Sequence, residues 1–210
     1  MDRKEIVAAA EAYWDEHRDA IVADIAKLVE IPSTEDLAAA APGAPYGPGP
    51  AAALDAALEI AEGMGMTVTN CEGHIGFADL AGKTEKQLGI IGHAGPGWSF
   101  EPFKVTEKDG YLMGRGCLDD KGPSVVALHA VKCLSDLDVE RPYSMRFIFG
   151  ANEETGMADV MWYLEKYESP AFLFTPDADF PVCYGEKGGY DGCITSAPIA
   201  DPVILDISGG

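Results

Sequence analysis

Short apolar runs that alternate with helical segments constrain the fold of this chain more than any other feature. The runs lie at 88–92 (LGIIG), 143–150 and 171–175, and helices are predicted between them over 123–135 and 156–167. A short apolar run bounded by glycine is typical of a strand that is buried on both faces. Strands that alternate with helices along the chain usually form a parallel sheet covered by helices. We therefore predict an α/β domain with a mostly parallel sheet flanked by helices.

Two helices and a hairpin are predicted in the first 80 residues. Apolar residues recur mostly at three- and four-residue steps over 3–30, which indicates an amphipathic helix. Pro32 ends this helix, because the residue before a proline disfavours helical geometry. The other predictions are a surface loop rich in Ala, Pro and Gly over 35–50, a helix over 51–64, and hairpin strands over 66–69 and 74–80.

The charge balance argues against two classes of partner. The 210 residues include 15 Lys and Arg but 35 Asp and Glu, for a formal net charge of -20 at pH 7. Because a protein this acidic repels a phosphate backbone and an anionic lipid surface, we expect neither nucleic acid nor membrane as a partner. No apolar run approaches the roughly 20 residues that a membrane span needs. The charged N-terminus has no signal-peptide core, so a cytoplasmic location is expected.

The cysteines argue against a disulfide framework and against a cysteine-rich zinc site. Their number is odd and no two have CxxC spacing: Cys71, Cys117, Cys133, Cys183 and Cys193. Buried free thiols are the favoured interpretation. Cys117 lies close to several acidic residues, whereas a catalytic thiolate needs positively charged surroundings, so we interpret Cys117 as structural.

One histidine and five acidic residues lie on loops, most of them directly after a predicted strand: His93, Asp119, Asp120, Glu153, Glu154 and Asp177. Ligands of an open α/β sheet bind at the carboxyl ends of its strands, so these side chains can converge at one edge. Crowded carboxylates repel one another, and a cation removes that repulsion. A histidine with several carboxylates suits zinc, manganese or a similar divalent ion. Of two adjacent glutamates, one can bind the metal while the other takes a proton from a metal-bound water.

Each of these residues also has an ordinary structural explanation. A single histidine is commonly hydrogen-bonded in the core or at the surface, Asp-Asp before a helix commonly caps it, and Glu-Glu is commonly solvated. Their joint placement around successive strands favours the functional interpretation.

Other known motifs fit this sequence less well. GRGCLDDKG lacks the spacing of a phosphate-binding loop, DADFP lacks the glycine of a calcium loop, and there is no GxSxG.

Five segments, spread over about residues 20–190, resemble the zinc-dependent M20 metallopeptidases: LVEIPST, IIGHA, GRGCLDDKGPSVVALHAV, RFIFGANEETG and FTPDADFPVCYGEKG. Among these, the motifs DDKGPS and TPDADFP and the EKG that follows are most similar to the PepV-like dipeptidase branch, which includes Xaa-His and β-Ala-Xaa dipeptidases. The resemblance implies a zinc-peptidase-like catalytic domain and two divalent metal ions. Zn2+ is the favoured ion, and Mn2+ and Co2+ are the alternatives.

The resemblance also implies a role for each site residue. His93 corresponds to a ligand of one metal, and Asp119 to the carboxylate that bridges both. Glu154 and Asp177 correspond to ligands of the two separate metals. Glu153 corresponds to the general base that activates the bridging water. Asp120 would lie beside the site, after an Asp119–Asp120 peptide bond that is often cis in this family.

Two departures from the family pattern concern the loop after His93 and the length of the chain. The family motif is His-x-Asp, whereas His93 and Ala94 are followed here by 95–98 (GPGW), with no aspartate. Family members are longer and carry a lid domain and a final segment with another metal-binding histidine. We therefore expect an incomplete catalytic domain over 1–194, with 195–210 as the start of a lid or dimerisation domain that is otherwise largely absent.

The favoured function is hydrolysis of dipeptides or short peptides by a two-metal-activated water, with Glu153 as the general base. A small peptide is then the expected substrate. An N-acyl amino acid amidohydrolase of the same clan is the first alternative, because only the substrate pocket would differ. A non-catalytic domain that retains the fold is the second alternative, which the shortened loop after His93 favours.

Overall fold

Four α-helices and seven β-strands form the described part of the computed structural model, which covers residues 2–93, 101–179, 181–185 and 188. The helices are α1 (Arg3–Val29), α2 (Pro48–Gly63), α3 (Lys121–Asp136) and α4 (Ala158–Lys166). The strands are β1 (Thr67–Cys71), β2 (Ile75–Leu80), β3 (Gln87–His93), β4 (Thr106–Lys108), β5 (Tyr111–Met113), β6 (Ser144–Gly150) and β7 (Phe172–Phe174). Short 3-10 turns lie at Leu37–Ala39 and Glu153–Thr155.

The main sheet has the strand order β1-β2-β6-β3-β7. Only β2 is reversed, because it is antiparallel to both of its neighbours, β1 and β6. Strand β3 is parallel to both β6 and β7, so four of the five strands run in the same direction. The mostly parallel sheet flanked by helices is therefore confirmed. The parallel register pairs His93 with Gly150, which brings the carboxyl ends of β3 and β6 side by side.

Strand β6 divides the core into two apolar clusters, because successive side chains of a strand point to opposite faces of the sheet. Phe147 and Phe149 belong to the larger cluster, which α1, α2 and α3 complete with buried leucine, isoleucine and valine side chains. Ile148 points the other way and joins the smaller cluster, in which Tyr163 of α4 is buried. A central strand that is apolar on both faces thus explains why helices cover both sides.

Helix α1 follows the sequence prediction closely. Asp2 caps it through a reciprocal pair of hydrogen bonds with Glu5, the arrangement known as a capping box. The helix ends at Val29, shortly before Pro32. Its buried face packs against α3, where Asp24 Oδ2 lies 2.9 Å from His129 Nε2.

The sequence predictions about local structure are correct in part. The run 171–175 was expected to be buried, but all three residues of β7 are exposed because β7 pairs only with β3 in the described sheet. The predicted helix over 156–167 is confirmed as the slightly shorter α4, and a separate 3-10 turn at Glu153–Thr155 precedes it. Helix α2 begins at Pro48, inside the predicted loop, since a proline is well suited to the first turn of a helix. The β4–β5 hairpin was not predicted.

The cysteine prediction is correct in part. Cys71 and Cys133 are buried free thiols and Cys117 is half-buried, whereas Cys183 is exposed. Cys193 lies outside the described residues. Burial raises the pKa of the Cys117 thiol, although Lys121 opposes the shift. A thiol with a raised pKa is a poor nucleophile at neutral pH, which supports the structural interpretation of Cys117.

The chain divides into two units at Ala178–Asp179, and most of the second unit lies outside the described residues. The predicted boundary between 194 and 195 also lies outside them and stays a prediction. Among the described helices, none is long and apolar enough to cross a membrane.

Arg146 on β6 makes polar contacts both within the sheet and with α4. Its guanidinium donates to both carboxylate oxygens of Asp79, at 2.7 and 2.6 Å, and to the Tyr163 hydroxyl at 3.0 Å. It also lies 3.9 Å from the ring centre of Phe77. A bidentate pair in this setting is stronger than a surface ion pair.

We expect Arg146→Met to lower the free energy of unfolding by about 3 kcal/mol, because it leaves the Asp79 carboxylate without its partner. Urea denaturation measures the change. The matched control is Lys83→Met, which removes an exposed ion pair with Glu140 and should cost less than about 1 kcal/mol. Equal losses in the two variants would contradict the special strength of the Arg146 contacts.

Candidate metal centre

The predicted site residues converge at one edge of the main sheet. His93 is the last residue of β3, the Glu153–Thr155 turn follows β6, and Asp177 follows β7. Since these three strands are parallel, their carboxyl ends meet at the same edge. Asp119 joins them from the loop that leads into α3. The structure therefore brings together residues that are up to 84 positions apart in the sequence.

The imidazole of His93 is the centre of this cluster. Its Nε2 atom lies 3.1 Å from Asp177 Oδ2, 3.3 Å from Asp119 Oδ1 and 3.5 Å from Glu153 Oε2. The His93 side chain is only 5% exposed, whereas the Asp119 side chain is 58% exposed and those of Glu153 and Asp177 are each about one-third exposed. A buried nitrogen thus faces carboxylates that solvent or a small molecule can reach.

Two sets of potential metal ligands share His93. One consists of His93, Asp119 and Asp177, and the other of His93, Glu153 and Glu154. Within each set, the ligand atoms lie within 4.8 Å of one another. Nitrogen and carboxylate donors at this spacing suit a divalent cation. Among the described residues, no lysine or arginine forms an ion pair with these carboxylates, so the donor set fits a metal centre.

The electrostatics of the cluster are those of crowded negative charges. Burial lowers the pKa of His93, but the hydrogen bond with Asp177 and the charge of Glu153 outweigh it, so the pKa is raised overall. Burial raises the pKa of Glu154, and the charge of Asp119 raises it further. A bound cation would lower the pKa of both His93 and Glu154, because it favours the neutral imidazole and the ionised carboxylates.

Asp120 lies beside the cluster, as the resemblance implied, and the Asp119–Asp120 peptide bond is cis. The Asp120 carboxylate is fully buried, and its Oδ2 accepts hydrogen bonds from the His93 backbone N–H and the Ser124 hydroxyl, both at 3.0 Å. Burial raises the pKa of Asp120 to about 7, although these hydrogen bonds oppose the shift. Asp120 therefore fixes the backbone of His93 rather than contacting the ligand cluster itself.

Gly92 leaves the space that Asp120 occupies. A Cβ atom at position 92 would lie 2.6 Å from Asp120 Oδ2 and would also overlap the Ser124 hydroxyl. If the cluster holds a divalent metal, Gly92→Ala should weaken its binding by about 10–100-fold, the usual effect of disturbing the groups that orient a metal ligand. Competition with a chromophoric chelator measures the affinity. Gly63→Ala is the control, since its added Cβ meets no atom within 4 Å, and an equal loss there would contradict the argument.

Lys121, the residue after Asp120, links the loop that carries Asp119 to the segment that follows α1. Its side chain is almost fully buried, and its Nζ atom donates to the Ile31 carbonyl at 2.8 Å. Burial lowers the pKa of Lys121 to about 8, and nearby Arg115 lowers it further. The DDKG and LVEIPST segments quoted above are therefore in direct contact.

The sequence analysis missed Asp159 and Asn152, which contact the backbone on either side of the Glu153–Thr155 turn. Asp159 is fully buried and lies in the first turn of α4, where an acidic residue normally signals only a favourable helix dipole. Asn152 precedes the two glutamates and is also buried. No sequence signal distinguishes these residues from ordinary helix-start residues. The shortened loop after His93, at 94–98, lies outside the described residues.

The sequence profile of peptidase family M20/M25/M40 matches residues 92–199, which is about half of the chain. The chain belongs to this family. It is 37% identical over 177 residues to the Beta-Ala-Xaa dipeptidase of Lactobacillus delbrueckii subsp. lactis, covering 81% of this chain and 37% of that protein. This M20 chain thus spans little more than a third of the length of that relative.

Solved structures agree with the assignment. The structure of human carnosine dipeptidase 1 matches with a TM-score of 0.62 and 25% identity, covering 76% of this chain and 37% of that one. An M20 family metallo-carboxypeptidase from Sulfolobus solfataricus matches with a TM-score of 0.57 and 22% identity, covering 70% of this chain and 34% of that one. The second likeness concerns the fold alone. The M20 resemblance and the α/β fold class are both confirmed.

Proposed function

We propose that the protein containing this chain hydrolyses dipeptides or short peptides with two divalent metal ions. The observation that carries the proposal is the convergence of one buried histidine and four carboxylates at the carboxyl edge of the sheet. The relative from Lactobacillus delbrueckii and the human structure are both named as dipeptidases, which supports a small peptide as the substrate.

The residues divide into two groups of ligands. His93, Asp119 and Asp177 would hold one ion, and Glu154 would hold the other with Asp119 shared between them. The nitrogen and carboxylate donors suit Zn2+ best, with Mn2+ and Co2+ as alternatives. When bound, the ions would polarise the scissile carbonyl and lower the pKa of the attacking water.

Glu153 is the proposed general base. Its carboxylate lies 3.5 Å from the His93 imidazole and remains about one-third exposed, so it adjoins the ligands and is still reachable by water. It would take a proton from the attacking water and then deliver that proton to the leaving amine. Glu153 and Glu154 are adjacent in the short 3-10 turn after β6, which is compatible with one binding metal while the other moves the proton.

A substrate panel tests the proposal. The complete gene product, supplied in turn with Zn2+, Mn2+ and Co2+, is assayed on β-alanyl dipeptides, ordinary dipeptides and N-acetyl amino acids. Dipeptide turnover that depends on added metal is expected. Preference for N-acetyl amino acids would instead indicate the amidohydrolase alternative, because the same chemistry can serve either amide.

Equilibrium dialysis tests the alternative of a non-catalytic domain. A protein that retained only the fold should bind neither Zn2+ nor Mn2+ tightly. The proposed enzyme should instead retain whichever of the two ions it is dialysed with. Tight binding of metal without turnover on any substrate of the panel would contradict the proposed activity while leaving the metal centre in place.

A further inference from the structure

We infer that Asp159 is a positioning residue that holds the turn carrying Glu153 and Glu154 in place for metal binding and proton transfer. The inference rests on the proposed function, and it assigns to Asp159 no contact with substrate or metal. Both potential metal-ligand sets among the described residues contain His93, so Asp159 belongs to neither.

The Asp159 carboxylate reaches back from α4 to the residues that follow β6. Its Oδ2 atom accepts two backbone hydrogen bonds, from Ala151 N–H at 2.6 Å and from Asn152 N–H at 2.8 Å. These are the two residues directly before Glu153. The other oxygen, Oδ1, lies 2.7 Å from the Val160 backbone nitrogen.

Asn152 closes the other side of the same turn. Its Oδ1 accepts from Ala158 N–H at 3.1 Å, and its backbone carbonyl accepts from Met157 N–H at 3.0 Å. Its Nδ2 donates to Thr155 Oγ1 and to Glu35 Oε1, both at 2.6 Å. The Glu153–Thr155 turn is therefore bound at both ends, with Asp159 holding the end that leaves the sheet.

Helix capping accounts for only one of the three hydrogen bonds of the Asp159 carboxylate. The N-cap position of α4 is Met157, whose side chain makes no capping hydrogen bond. Asp159 Oδ1 accepts from Val160 N–H in the first turn of α4, as a capping carboxylate would. Its Oδ2 instead accepts both of its hydrogen bonds from the loop after β6. Asp159 therefore joins α4 to that loop.

The surroundings of Asp159 indicate that its carboxylate serves to hold the loop after β6 rather than only to stabilise the fold. The carboxylate is fully buried, and among the described residues it forms no ion pair, so backbone N–H groups supply its compensation. Gly150 leaves room for it, because a Cβ atom at position 150 would lie 2.8 Å from Asp159 Oδ2. Losing this carboxylate would release two backbone N–H groups directly before the proposed base.

The experiment compares three variants of the complete gene product with the natural protein. Asp159→Ala should weaken Zn2+ binding by about 10–100-fold, because Glu154 is displaced, and should lower kcat more than it raises KM. Asp159→Asn keeps one oxygen for the Ala151 and Asn152 N–H groups and should recover most of the affinity. Tyr163→Phe is the matched control: it alters the same helix by removing the hydroxyl that contacts Arg146, and should leave Zn2+ affinity unchanged.

Two readouts are independent of turnover: Zn2+ affinity by chelator competition, and the visible absorption spectrum of the Co2+-loaded protein, which reports ligand geometry. If Asp159→Ala does not fold, Gly150→Ala disturbs the same contact from the other side and should weaken Zn2+ binding in the same direction. The inference would be overturned if the folded Asp159→Ala variant kept the Zn2+ affinity of the natural protein and an unchanged Co2+ spectrum. If Asp159→Ala does not fold, the same result in Gly150→Ala would overturn it. Absence of dipeptide turnover in the natural protein would overturn the proposed function instead, while the affinity comparison still tests Asp159.

Discussion

Replacing Glu153 with glutamine is expected to lower kcat for dipeptide hydrolysis by about 10²–10⁴-fold, the usual contribution of a general base. Glutamine keeps the size of the side chain but cannot take a proton from water. Bound metal should be unchanged, because Glu153 is not one of the proposed ligands. Steady-state kinetics and elemental analysis of the dialysed protein measure the two quantities.

The control for this prediction is Glu165→Gln, which makes the same chemical change at an exposed position of α4. It should leave both kcat and metal content unaltered. Glu153→Ala should be as inactive as the glutamine variant, since both lack the carboxylate. Turnover near that of the natural protein in either Glu153 variant would remove Glu153 from the role of base.

Replacing His93 with alanine is expected to weaken metal binding by more than about 100-fold, beyond the usual effect of changing a residue that only supports a ligand. The effect should be large because His93 is common to both sets of potential ligands and is the nitrogen donor in each. Added metal should also no longer raise the free energy of unfolding of the His93→Ala variant. For the natural protein, free metal at 100 times its Kd should add about 2.7 kcal/mol to the free energy of unfolding.

Isothermal titration with Zn2+ and thermal unfolding with and without Zn2+ measure the two consequences. His17→Ala is a suitable control, because His17 stacks on Tyr13 in α1 and belongs to neither ligand set. It should keep the metal-dependent rise in Tm. Undiminished binding of two ions by His93→Ala would contradict the placement of the metal centre around this residue.

The predicted and observed site differ in an instructive way. The sequence predicted that five residues meet, because all lie on loops, most of them directly after a strand, and parallel strands end at one edge: His93, Asp119, Glu153, Glu154 and Asp177. It did not predict that His93 is the shared centre of two ligand sets. That arrangement depends on the register of β3 against β6, which pairs His93 with Gly150. Register is decided by which side chains can pack on the two faces, and a local pattern does not contain that information.

Local pattern also misjudged the burial of one strand and did not reveal one buried contact. The apolar composition of 171–175 predicted a buried strand, but burial of β7 depends on what lies beyond the edge of the sheet rather than on its own residues. The sequence analysis did not single out Asp159, because acidic residues are common at helix starts. Its hydrogen bonds to Ala151 and Asn152 form only when α4 folds back against the end of β6.

The residue pattern was enough to predict three features of this chain: the amphipathic α1 that ends before Pro32, the apolar β3 and β6, and the acidic residues on loops near the site. These features depend on periodicity and on neighbours within a few residues, which a sequence displays directly. Three features follow from tertiary contacts alone: the antiparallel pairing of β2 with β6, the buried contact of Asp120 with the His93 backbone, and the hydrogen bonds of Asp159 to the residues before Glu153. The first depends on the order in which strands pair. The other two depend on burial, where an unpaired polar group is costly and each must find its partner across the fold.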